Sequence, residues 1–72
     1  MVLGMNQTAT QQLSTEYREL VETANLDWQV AQYVRCMDKL TEHSSFEVKA
    51  AAIAEIARGQ HGEAFDQAVA KY

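Results

Sequence analysis

The stretch NLDWQVAQYVRCMDKLT, residues 25–41, decides how this chain folds. Within it Leu26, Val30, Tyr33, Val34, Met37 and Leu40 recur at steps of three and four. At about 100° per residue, that spacing gathers them on one side of a helix and predicts a core-facing stripe. Trp28, Gln32, Arg35 and Lys39 follow one another at the same steps on the opposite side. The periodicity therefore assigns the only tryptophan to the solvent face, beside a guanidinium and an ammonium. Trp and Arg are over-represented among the residues that dominate binding energy, so these four side chains are the candidate partner-binding residues. The competing reading is an indole covered by the N-terminal arm, by a fourth helix or by a second copy of the chain.

Toward the N-terminus, Leu13, Tyr17, Leu20, Val21 and Ala24 share a face, whereas Glu16, Arg18, Glu19 and Glu22 fall outside it. This pattern predicts a first helix from Thr8 or Thr10 to Ala24. Thr8 with Gln11 fits a capping box, and Ser14 offers an alternative start. Asn25 and Asp27 are both good N-caps, so the turn into the central helix is short and makes helices one and two antiparallel neighbours. Residues 1–12, MVLGMNQTATQQ, hold no sustained period and read as a flexible arm, with Met5 as a second candidate start. Residues 13–72 read as a single helical domain.

Toward the C-terminus, TEHSS loses the period, and Ser44 with Glu47 gives a capping box for a third helix. Phe46, Ala50, Ile53, Ile56 and Ala57 form its apolar face, and Ala51, Ala52 and Ala54 raise its helix propensity. Arg58 followed by Gly59 is the expected stop. Phe65, Ala68, Val69 and Tyr72 share a face on a short fourth helix. The expected core is Leu20, Val30, Tyr33, Val34, Met37, Phe46, Ile53 and Phe65. No strand pattern or repeat occurs and there is no proline. The fold expected is all-α, a small bundle of three to four short helices.

A chain of 72 residues buries a modest core, and its one cysteine excludes an internal disulfide. No C-x-x-C or H-x-x-H pair supplies a metal cage. Self-association is the stabilising device left, most simply as a homodimer. A lone cysteine suits a reducing compartment, so the expected location is cytoplasmic. No apolar run approaches the roughly 20 residues needed to span a bilayer, and the first residues lack the pattern of a signal peptide. Ten acidic against six basic side chains give a net charge of −4, which disfavours nucleic acid and anionic lipid and favours a protein partner.

Residues 53–69 match helix, glycine turn and helix, the outline of a helix-turn-helix DNA-binding transcriptional regulator. Such a reader presents Arg, Lys, Asn, Gln, Ser or Thr to DNA. This one presents Glu63, Asp66 and Gln67, with Lys71 alone at the tail. Cys36 lies at the margin of the central stripe with His43 two helical turns on, too far to activate it. It reads as a small apolar residue rather than a nucleophile. His43 and His61 sit in expected turns without ligand spacing, and no phosphate-binding loop, nucleophile elbow or zincin motif occurs. The sequence thus predicts a small helical interaction or regulatory module that binds a protein partner and self-associates, with no catalysis, cofactor or metal.

Overall fold

The computed structural model describes residues 8–72. They form four α-helices, α1 (Thr15–Thr23), α2 (Leu26–Asp38), α3 (Ser45–His61) and α4 (Glu63–Ala70), preceded by a 3-10 turn at Thr10–Gln12, and no strand. The all-α fold read from the periodicity is the fold adopted. The first seven residues of the expected arm, Met5 among them, lie outside the described residues. Thr8–Gln12, read as the rest of that arm, instead turn against α3.

The organising helix is α3 rather than α2. It packs against α1, α2, α4 and the 3-10 turn, with its largest contact on α2. Its sequence explains this position: Ala50, Ala52, Ala54 and Ala57 are all buried around a wholly buried Ile53, and side chains that small let neighbouring elements approach on several sides.

The start of α1 is Ser14, whose hydroxyl accepts the Tyr17 N–H at 3.1 Å. The reciprocal Thr8 and Gln11 bonds do form, at 3.2 and 3.3 Å, but they close the 3-10 turn. Extended backbone at Leu13 then separates that turn from α1. At the other end, Ala24 and Asn25 are both extended, with ψ of 159° and 170°. They turn the chain so that α1 packs mainly on α3, which replaces the antiparallel α1–α2 pairing expected from the short link.

Asn25 caps α2 as read, accepting the Trp28 N–H at 2.8 Å. The buried arc of α2 is nevertheless displaced from the apolar stripe toward Gln29 and Cys36. Val30 stays buried and Tyr33 and Val34 are half-buried, while Met37 is 43% exposed. Leu20 on α1 is likewise 51% exposed, because its neighbour Val21 takes the inward position. At the start of α3, Ser44 makes no side-chain cap. His43 takes that role, its Nδ1 accepting the Ser45 N–H at 3.2 Å and meeting the Ser45 hydroxyl at 2.8 Å.

The end of α3 also differs from the reading. The helix passes through Gly59, which faces open space, and stops at Gly62, where φ is 61°. The Gly62 N–H bonds the Arg58 carbonyl at 2.8 Å. A solvent-facing glycine is tolerated inside a helix at about 1 kcal/mol, whereas positive φ is where L side chains are strained.

Two apolar clusters result. Val21, Cys36, Ala50 and Ile53 pack with Tyr17, Trp28 and Phe46 between α1 and the α2–α3 pair. Val30, Ala54, Ala57 and Phe65 pack with Leu26 and Val34 on the α4 side. Tyr33 touches both, meeting the Phe65 ring edge-on at a centroid distance of 5.3 Å.

Candidate functional site

Three of the four residues read as partner-binding come together. Gln32, Arg35 and Lys39 run along one flank of α2, and Phe46 and Lys49 of α3 face them across a groove of about 300 Å³ that Cys36 also lines. Half of the chain's six basic side chains thus line one groove, and no carboxylate among the described residues lines it, although carboxylates outnumber cations in the sequence. The fourth residue, Trp28, stands one turn earlier on α2. It is half-buried against the Val21 and Cys36 cluster and borders a separate shallow depression with Leu20 and Asn25. The indole that periodicity placed in solvent is therefore partly covered by its own chain.

Each cation in the groove is held differently. Lys49 lies 5.4 Å from the Tyr17 ring centroid and 5.8 Å from that of Phe46, within cation–π range. Lys39 approaches Glu42 at 3.9 Å, an exposed pair of little energetic consequence. Arg35 makes no ion pair among the described residues. Lys49 escaped the sequence reading because its place opposite Arg35 depends on how α3 docks on α2, which no local spacing encodes.

Beneath these cations the Cys36 thiol is pushed up from its ordinary pKa, first by burial, with Lys49 and Arg35 opposing. Tyr17 is also raised, by burial and then by the neighbouring Cys36. Both groups stay protonated at neutral pH and serve as packing. A protonated thiol is a poor nucleophile, so what the groove presents is the charge of Arg35, Lys39 and Lys49.

Besides the apolar contacts of Val21 and Tyr17, a pair of glutamines holds α1, and with it the Tyr17 ring beside Lys49. Gln29 is wholly buried. Its Nε2 donates to the Val21 carbonyl and to Gln60 Oε1, both at 2.8 Å. Gln60 Nε2 donates in turn to the Glu22 carbonyl at 2.9 Å. Those carbonyls belong to the last turn of α1, where intrahelical partners run out. The signal in the sequence was faint: Gln29 shares a helix face with Cys36, seven residues on, just off the main stripe.

The unit at residues 53–69 has a different geometry from the one its outline suggested. The segment between the helices is Gly62 alone, and α4 turns Glu63, Asp66 and Gln67 outward. Asp66 engages Arg58 through Nε at 3.0 Å and Nη2 at 2.9 Å. The arginine nearest the would-be reading helix is thus already paired. Among the described residues, no group of three or more His, Cys, Asp or Glu side chains is arranged to hold a metal, and no helix is long and apolar enough to cross a membrane. Comparison with known proteins found no matching family model, curated protein or solved structure.

Proposed function

We propose that this protein is a small cytoplasmic interaction or regulatory module, without catalysis, that self-associates and binds an acidic segment of a protein partner in the groove of Gln32, Arg35, Lys39 and Lys49. The observation that carries the reading is the convergence of three cations on a carboxylate-free groove in a molecule of net charge −4. A cleft lined by one sign of charge concentrates ligands of the other sign and speeds their association. Arg35 has the planar fork that pairs with a carboxylate in two places. Lys49 is fixed over two rings, so it surrenders little freedom on binding, and half-buried Phe46 adds apolar contact between the charges.

The test is a titration of the full chain with a glutamate-rich peptide, read by fluorescence anisotropy at two salt concentrations. Binding should weaken with salt. Arg35→Glu with Lys49→Glu should lower affinity on the order of ten-fold or more, since two attractions become repulsions. Equal binding by the wild type and the double variant, or none by either, would remove the reading. Retardation of duplex DNA at low salt would turn it toward nucleic acid, which the outward carboxylates of α4 argue against.

A further inference from the structure

On the flank of the α2–α3 pair away from the basic groove lies a larger depression of about 630 Å³. Its walls are Tyr33, Met37 and Leu40, and its floor is Ala50, Ala51 and Ala54 of α3. Met37 is a large apolar side chain left substantially exposed, and Ala51 is open to solvent. Charged residues lie toward the two ends of the alanine floor in a symmetric arrangement: Glu47 stands four residues before Ala51, and Arg58 four residues after Ala54.

From this pattern we infer that the occupant of the groove is a second copy of the same chain, its α3 antiparallel to the first about a two-fold axis between Ala51 and Ala54. The inference rests on the self-association in the reading above and names the surface that carries it. The two-fold operation that sets Ala51 against Ala54 of the second copy also sets Glu47 against the second copy's Arg58. By isology it then sets Arg58 against the second copy's Glu47. A parallel arrangement in equal register sets Glu47 against Glu47 and Arg58 against Arg58, so charge selects the antiparallel one. The opposed helix dipoles favour it as well.

The remaining groups are compatible with this register. Glu55 falls opposite uncharged Ala50 and already accepts a hydrogen bond from the Thr10 hydroxyl at 2.7 Å. Arg58 uses Nε and Nη2 on Asp66 and keeps its other guanidinium N–H groups for the second copy. The short turn from α2 to α3 places Met37 and Leu40 beside the first half of α3. In the antiparallel pair they therefore lie over the second half of the second copy's α3, covering the aliphatic stem of Arg58.

Sedimentation equilibrium over a wide concentration range tests this on the full chain. The wild type is expected to be a dimer that dissociates on dilution. Ala51→Glu places two carboxylates near the axis and should be monomeric, with its helical circular dichroism intact because Ala51 is exposed in the single chain. Glu47→Arg should weaken the dimer about ten-fold or more, and adding R58E together with D66N, which keeps the new carboxylate from facing Asp66, should recover much of the loss, because the charge pattern across the axis is then exchanged rather than broken. A monomer at every concentration of wild type would overturn both self-association and this interface. An Ala51→Glu dimer as tight as wild type would overturn this interface alone and move self-association to another face. Failure of the folded triple variant to recover would overturn the antiparallel register.

Discussion

On the α4 side of the α2–α3 pair the seal is apolar: Phe65 is wholly buried, edge-on to Tyr33 and packed with Val30 and Ala57. On the α1 side wholly buried Val21 packs in the same way against Ile53 and Cys36, and two glutamines add bonds to two backbone carbonyls. Apolar burial is non-directional and scales with area. Hydrogen bonds are directional and fix where a helix end sits. The difference carries over to the surface. The nearest cation on the α4 side, Arg58, lies over the Phe65 ring and is paired with Asp66. On the α1 side Arg35 and Lys49 meet no carboxylate among the described residues, and a charged groove remains. The proposed binding groove lies on the side where directional hydrogen bonds supplement the apolar packing.

Substitutions can break this contrast at either end. The largest effect is expected from Phe65→Ala, which empties the apolar seal and should cost about 3–5 kcal/mol in urea unfolding, enough to leave so small a domain largely unfolded. A cooperative transition at the wild-type midpoint would mean that α4 does not close that side. Gln29→Leu should cost less, about 1–3 kcal/mol, by removing the buried donor to the Val21 carbonyl and loosening the end of α1. Gln29 Oε1 is buried without a partner among the described residues, and losing that orphan trims the penalty. A loss as large as that of Phe65→Ala would show that the two sides are not sealed differently. Smallest is the glycine pair that marks where α3 hands over to α4. Gly62→Ala should lower stability by about 1–2 kcal/mol, while Gly59→Ala should raise it by about 0.5–1 kcal/mol. Thermal melts showing the opposite signs would return the end of α3 to Gly59.

Local signals in the sequence carried well where one helix suffices to determine them. The Asn25 cap, the inward positions of Val30, Ile53 and Phe65, and the shared flank of Gln32, Arg35 and Lys39 are all visible in spacing alone. What depends on docking was not visible. A stripe of six apolar residues on α2 gives a mean direction, but α1 and α3 bury the arc around Gln29 and Cys36, so Met37 is left out and a glutamine goes in. Gly59 and Gly62 are alike as letters, and only the backbone turn that α4 requires distinguishes them. Lys49 sits amid an alanine-rich run and reads as a solvated charge until α3 lies against α2, and Trp28 is covered only because α1 folds back toward α3.

The central claim is that the two flanks of the α2–α3 pair serve different partners, and amide-resolved two-dimensional NMR of the full chain tests it most directly. Adding a glutamate-rich peptide at constant protein concentration should shift the amides of Gln32, Arg35, Cys36, Lys39 and Lys49 and leave those of Ala51 and Ala54 in place. Diluting the same sample without peptide should do the reverse, moving Met37, Glu47, Ala51, Ala54 and Arg58. Peptide shifts centred on Ala51 and Ala54, or one set of amides responding to both treatments, would contradict it.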